Sequence, residues 1–177
     1  LLIDAKKIPA LNEIYLDKDG LCLGAAVSCR AVWEHPGIKE EYPALIDSST
    51  LIGSVQVQGR ASIGGNLCNA APSGDAIPTL IALGATAHTL SVNGEREIPV
   101  EDFCIAPGKN ALKDDELLVR LSISKPKANS GTHFLRFIPR NEMDIAVANA
   151  AASVTLNEQG DRFDSVRVAI GSVAPTP

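Results

Sequence analysis

Two turns that each contain a glycine constrain the fold of this sequence more than any other feature. Asn93-Gly94 separates residues 87–92 from residues 95–100, and we expect both flanking runs to be strands. Asn-Gly in such a position is the strongest short-range signal for a β-hairpin. Asp19-Gly20 lies between two shorter apolar runs near the start of the chain and indicates a second hairpin. The sequence therefore predicts antiparallel strand pairs in two separate places.

The other segments are predicted to alternate between short helices and strands. Ser28 and Asp75 are of the residue types that favour helix N-caps. The polar stretch 125–131 contains Pro126, so we place a domain boundary there, between domains of residues 1–128 and 129–177. We expect helices over 29–34, from 38 to the residue before Pro43, over 44–52 and from the N-cap Asp75 through Leu83. We expect strands over 56–63, 116–124, 133–138, 146–156 and 163–170.

Charge and cysteine usage exclude several classes of protein. The 177 residues carry a formal charge of −5, which disfavours a dedicated nucleic-acid binder. No apolar run approaches the roughly 20 residues of a membrane-spanning helix. The four cysteines form no C-x-x-C pair, so we predict no metal site and expect free thiols in a reducing, cytoplasmic compartment. These cysteines are Cys22, Cys29, Cys68 and Cys104.

Residues 61–84 form the segment best suited to binding a ligand. Gly64-Gly65 follows a predicted strand, so the backbone there can approach a bound group closely, and free N–H groups in such a loop form a nest for anions. Ser62 and Asn66 add a hydroxyl and an amide, and the helix predicted after Asp75 favours negative charge at its start. The segment suggests a diphosphate cradle, but a plain glycine turn between strand and helix has the same pattern.

Common catalytic signatures are missing from the sequence. There is no nucleophile elbow, no phosphate-binding P-loop, no H-E-x-x-H pair and no G-x-G-x-x-G loop. The carboxylates of residues 114–116 are adjacent, and adjacent side chains do not converge on one substrate, so we interpret them as a solvated turn. We expect Trp33 to be a core residue. No residue is predicted to be catalytic.

A longer pattern resembles one known family. Ser62-Ile63-Gly64-Gly65-Asn66, followed by LCNAAP and then Asp75, is similar to a signature of the FAD-binding (medium) subunit or domain of molybdenum hydroxylases. Xanthine dehydrogenase and aerobic CO dehydrogenase are members of that family. Further similarity lies in residues 98–103, in 140–146 (RNEMDIA) and in 169–177 (AIGSVAPTP), so the resemblance extends over essentially the whole chain.

The resemblance implies a fold and a set of cofactor contacts. The fold would be α+β, a vanillyl-alcohol-oxidase-like FAD-binding domain followed by the start of a small C-terminal α/β domain. A second glycine-rich loop of the family is absent from these residues, so we expect an incomplete flavin site. Ile52 and Phe134 match further positions near the flavin. The residues that match the family's FAD contacts are Ser62, Ile63, Gly64, Gly65, Asn66, Asp75, Leu118 and Arg136.

The resemblance also implies an oxidoreductase that works in a complex. Substrate would be oxidised at a molybdopterin centre on a large subunit, and electrons would pass through [2Fe-2S] clusters on a small subunit to FAD on this chain. NAD or another acceptor would then take them. Two alternatives remain open: a self-contained FAD-dependent oxidase, and a non-enzymatic nucleotide-binding or assembly module.

Overall fold

A computed structural model describes residues 3–140 and 143–177 of the chain. It contains a five-stranded sheet in the order β1-β2-β7-β3-β4, in which every neighbouring pair is antiparallel. Both predicted hairpins are confirmed, because β1 pairs with β2 and β3 pairs with β4. The strands are β1 (Ile14–Leu16), β2 (Gly20–Gly24), β3 (Thr86–Ser91), β4 (Gly94–Pro99), β5 (Cys104–Ala106), β6 (Lys109–Asn110) and β7 (Leu117–Ser124), with β5 and β6 forming a separate pair.

Within the described residues, six short α-helices and three 3-10 helices accompany this sheet. Ser28 caps the first helix as predicted, with its Oγ accepting from the Ala31 N–H at 3.1 Å. None of the helices in residues 3–140 and 143–177 is long and apolar enough to cross a membrane. The helices are α1 (Cys29–Glu34), α2 (Pro36–Glu41), α3 (Pro43–Leu51), α4 (Val55–Gln58), α5 (Ile63–Asn69) and α6 (Ala76–Ala82), and the 3-10 helices are Ala5–Lys7, Pro9–Leu11 and Val100–Asp102.

The second domain begins with a three-stranded antiparallel sheet in the order β10-β9-β8. Its strands are β8 (Ser130–Phe137), β9 (Ala148–Leu156) and β10 (Phe163–Gly171). Leu45 and Leu80 belong to the main core over the five-stranded sheet, whereas Ala44 and Ala82 pack against Phe134 of β8. Because these residues lie on α3 and α6, those two helices form a layer between the sheets.

The strand predicted over 56–63 is wrong. The structure has α4 there and begins α5 at Ile63. Within α4, Val57 is exposed and Gln58 is buried. Gln58 accepts from Trp33 Nε1 at 3.2 Å and donates to the Thr50 carbonyl at 2.7 Å. Trp33, predicted as core, is only half-buried, and its indole N–H donates to this buried amide.

The interpretation of residues 114–116 as a solvated turn is also wrong for Glu116. Asp114 and Asp115 are exposed, but the Glu116 side chain is 5% exposed and pairs with Arg96 of β4. Arg96 Nε donates to Glu116 Oε1 at 2.8 Å, and the Lys113 N–H donates to Glu116 Oε2 at 2.8 Å. The bond with Arg96, followed by the Lys113 bond, lowers the pKa of Glu116 to about 2.

Candidate functional site

The start of α5 is built by Ser62, the residue before the helix. Ser62 has an extended backbone, and its Oγ accepts from the Gly65 N–H at 3.0 Å, which is the usual arrangement of an N-cap. A bridge between Ser28 and Ser62 and a bond from the Cys29 N–H to the Ala61 carbonyl at 2.8 Å fix this point against α1. Helix α5 thus begins at a position set by its neighbours.

Gly64 is explained by packing inside the chain. It is buried, and a Cβ placed on it would lie 2.5 Å from the Ala25 carbonyl oxygen and 2.7 Å from the Ala25 Cα. Ala25 directly follows β2, so only a glycine lets the first turn of α5 approach the end of that strand. The close approach predicted for Gly64 is therefore made to the chain's own backbone.

Gly65 has no such explanation. It is exposed, and a Cβ placed on it would meet only the Ser62 Oγ, at 2.9 Å, among the described residues. Glycine inside a helix costs roughly 0.5–1 kcal/mol relative to alanine. An open first turn with a glycine facing outwards can admit a bulky group close to the backbone, where N–H groups of the helix start lack intrahelical partners. This turn fits one phosphate-bearing part of FAD.

Asn66 has a structural task that differs from the prediction. Its Oδ1 accepts from the Ala76 N–H at 3.1 Å and so caps α6. Asp75 was predicted to be that cap, but its side chain makes no capping bond. The carboxylate of Asp75 instead faces Arg136 of β8, with Arg136 Nη1 donating to Asp75 Oδ2 at 2.9 Å. The cap is supplied from α5 because the carboxylate is engaged with the second sheet.

The Asp75–Arg136 pair joins the two domains. The two side chains are 10% and 6% exposed, and Arg136 Nη1 also donates to the Leu51 carbonyl at the end of α3 at 2.9 Å. Burial raises the pKa of Asp75, and the charge and hydrogen bond of Arg136 oppose that rise. Two predicted flavin contacts that are far apart in the sequence therefore bind to each other.

Two family models together match most of the chain. The sequence model of the family described as "FAD binding domain in molybdopterin dehydrogenase" matches residues 1–126. The chain belongs to this family. The model described as "CO dehydrogenase flavoprotein C-terminal domain" matches residues 133–177. The α+β FAD-binding fold with a small C-terminal domain is thus confirmed.

Similar proteins of the molybdopterin dehydrogenase FAD-binding family are longer than this chain. The xanthine dehydrogenase FAD-binding subunit of Escherichia coli O157:H7 is 34% identical over 179 residues, covering 99% of this chain and 60% of the relative. The nicotinate dehydrogenase FAD-subunit of Eubacterium barkeri is 29% identical, covering 90% and 55%. The chain therefore spans about three fifths of the length of these relatives.

Solved structures of the family superpose closely on the chain. Carbon monoxide dehydrogenase from Hydrogenophaga pseudoflava matches with a TM-score of 0.92 and 26% identity, over 98% of this chain and 59% of that one. Quinoline 2-oxidoreductase from Pseudomonas putida 86 matches with a TM-score of 0.87 and 26% identity, over 98% and 59%. The fold is that of the FAD-binding family.

The remaining residues predicted as flavin contacts are apolar and mostly buried. Ile63 and Leu118 are 0% and 2% exposed and belong to the main core. Phe134 is 2% exposed against residues of α3, α6 and β9, so neither face of its ring is open for stacking. Ile52 is half-buried at the end of α3, where Gly53 follows with a positive φ of 62°. The start of α5 is thus the exposed part of the predicted set.

Sequence reasoning missed three residues that shape this region. Ala25 makes Gly64 necessary, Gly171 lets β10 approach α6, and Asn149 of β9 lies buried beside the Asp75–Arg136 pair. None of them carries a local signal, because each acts on a residue far away in the sequence.

Proposed function

We propose that the chain is the FAD-binding part of a molybdenum hydroxylase, an oxidoreductase complex. A partner large subunit would hold molybdopterin and oxidise the substrate. A partner small subunit would pass the electrons through [2Fe-2S] clusters to FAD on this chain, and NAD or another acceptor would remove them. The relatives named as FAD-binding subunits and as medium chains support this division of tasks.

The open first turn of α5 is the observation that carries the proposal. Gly65 is a helical glycine that no backbone of the described residues requires, and it lies in the Ser62–Asn66 segment that resembles the family's signature. A helix start attracts negative charge, because its N–H groups and its dipole point at the bound group. We assign the FAD diphosphate to this turn, with Ser62 holding the turn in place through the Gly65 N–H.

FAD, when bound, supplies the electron transfer, because its ring can accept and release electrons. The residues of the chain position and enclose it. Asn66 locks the start of α6 to α5, and the Asp75–Arg136 pair locks α6 to the second sheet. These two contacts link the start of α5, through α6, to the second sheet.

The three histidines weigh against a self-contained oxidase, which would need a base beside the flavin. His35 Nδ1 accepts from the Ile38 N–H, His88 Nε2 contacts Ser122 Oγ at 2.7 Å, and His133 Nδ1 contacts Asp47 Oδ2 at 2.8 Å. Each imidazole thus already has a partner within the chain. The electron-relay interpretation requires no such base.

Two measurements test the proposal. FAD is titrated into the purified chain and binding is followed by quenching of flavin fluorescence; saturable binding that 1 mM pyrophosphate competes away is expected. The tagged protein is then recovered from its native cell, and molybdenum and iron are measured in the recovered complex. Turnover by the chain alone would instead establish an oxidase, and binding of nucleotide without metal-containing partners would establish an assembly module.

A further inference from the structure

Polar side chains meet where the start of α6 faces the three-stranded sheet. Arg136 of β8, Asn149 of β9 and Gly171 of β10 lie opposite one another in register, so they form one row across the sheet. Asp75 contacts this row through Arg136. The next residue after β10 joins the same contact, because the Ser172 N–H donates to the Pro72 carbonyl at 2.8 Å. The row therefore faces the segment that leads into α6.

Asn149 is the unexplained member of this row. It is 2% exposed, yet neither its Oδ1 nor its Nδ2 closes a full hydrogen bond within the described residues. Asp75 Oδ1 and Arg136 Nε are likewise buried with no hydrogen-bond partner in the part of the chain that the structure describes. Buried polar groups of native proteins nearly always have partners, and each exception calls for a physical reason.

The backbone is adapted to keep Asn149 in this place. A Cβ on Gly171 would lie 2.3 Å from Asn149 Oδ1 and 3.2 Å from the Pro72 carbonyl oxygen. Gly171 has no positive φ, so glycine is needed here because there is no room for a side chain and not because of the backbone conformation. An alanine at 149 would remove the contact with Oδ1 and leave the one with the Pro72 carbonyl oxygen. The sheet thus holds a buried amide at a position where a smaller apolar residue would add no polar group without a partner.

A buried ion pair explains why an amide is useful there. Removing two charges from water is expensive, and their attraction compensates only when further polar groups complete their surroundings. Arg136 is the charged group that faces Asp75 from the second sheet, and Asn149 is the neutral polar group next to it. Burial raises the pKa of Asp75, and the Asn149 amide lowers it, as Arg136 does.

We propose that Asn149 is a positioning residue that, with Arg136, holds the Asp75 side chain against the three-stranded sheet. Through Asp75 the sheet of the second domain fixes the start of α6, and through Asn66 it fixes the open turn of α5. The second domain thereby shapes the cofactor surface of the first domain. The link to FAD rests on the proposed function, whereas the effect of Asn149 on Asp75 does not.

The test replaces Asn149 by leucine, which has a similar shape but no amide. The titration of Asp75 in the full chain is followed by NMR of its labelled carboxyl carbon, assigned with Asp75→Asn. We expect Asn149→Leu to move the pKa of Asp75 upwards and to lower the melting temperature at pH 7 by about 3 °C or more. Ser153→Ala is the matched control, because Ser153 lies on the same face of β9 four residues away, and it should leave the Asp75 titration unchanged.

A second variant keeps the proposal testable if leucine prevents folding. Asn149→Asp places another carboxylate beside Asp75, and repulsion should raise the pKa of Asp75 further. An unchanged Asp75 titration in whichever variant folds would overturn the positioning role, even with a lowered melting temperature. FAD affinity is measured in parallel and should fall about tenfold in Asn149→Leu. If the unaltered chain binds no FAD, the proposed function fails while the Asp75 titration still decides the role of Asn149.

Discussion

Substituting the two adjacent glycines of α5 separates packing from cofactor binding. Both are replaced by alanine, so the added group is the same single methyl. In Gly64→Ala this methyl would lie 2.5 Å from a backbone oxygen of Ala25, and neither backbone can yield without moving α5 or the end of β2. In Gly65→Ala it would meet only the Ser62 hydroxyl at 2.9 Å, which can rotate.

The expected magnitudes differ accordingly. Overpacking of a closely packed site typically costs about 1–3 kcal/mol, and a domain of this size loses about 2–4 °C per kcal/mol. Gly64→Ala should therefore lower the melting temperature by about 2–12 °C. Gly65→Ala gains up to about 1 kcal/mol of helix propensity, which offsets a displaced cap, so its melting temperature should stay within about 4 °C of the original.

FAD binding should show the opposite order. If the methyl of Gly65→Ala displaces one charge-assisted bond to the diphosphate, the loss is about 1.5–3 kcal/mol, or about 10- to 150-fold in Kd. Circular dichroism gives the melting temperatures, and fluorescence quenching gives the affinities. Unchanged FAD affinity in Gly65→Ala would refute the assignment of the open turn. Unchanged stability in Gly64→Ala would refute the packing argument.

Three further predictions concern other parts of the chain. Because its pKa is lowered to about 2, Glu116 stabilises the fold above its ordinary pKa of 4.5; the stability lost in Glu116→Gln at pH 7 should disappear as pH falls from 4.5 towards 2 in urea titrations. Burial raises the pKa of Cys68 to about 11, so dithionitrobenzoate should label it slowly at pH 8, and Cys68→Ser should bind FAD like the original; rapid labelling would contradict this. With one diphosphate-binding turn, the 177 residues should bind FAD with a Kd above about 1 μM in equilibrium dialysis, and tighter binding would show that one turn suffices.

Local signals account for the parts of the fold that the sequence predicted correctly. The hairpin at Asn93-Gly94 and the cap at Ser28 depend on neighbouring residues alone, and both are found. Helix α4 was predicted wrongly because its burial depends on distant partners. Gln58 is buried through contacts with Trp33 and Thr50, and no local pattern shows that a glutamine will face inwards.

Contacts between residues that are distant in the sequence also determine the candidate site. Gly64 and Gly65 are identical neighbours in the sequence, and a resemblance assigns both to the cofactor. The structure separates them, because the Ala25 backbone lies against Gly64, whereas the Ser62 hydroxyl is the near neighbour of Gly65. Asp75 and Arg136 are predicted as two contacts with one ligand, and the structure adds a direct bond between them across two domains.

A buried pair that joins two domains also changes what its mutation would mean. Loss of FAD in Asp75→Asn would not by itself show that Asp75 touches FAD, because the same change leaves Arg136 buried with an uncompensated charge, which costs about 3–5 kcal/mol. The double variant Asp75→Asn with Arg136→Met removes both charges and so avoids that penalty. If FAD binding returns in the double variant, the pair acts by holding α6 to the sheet. If it stays lost while the fold is regained, one of the two side chains contacts the cofactor directly.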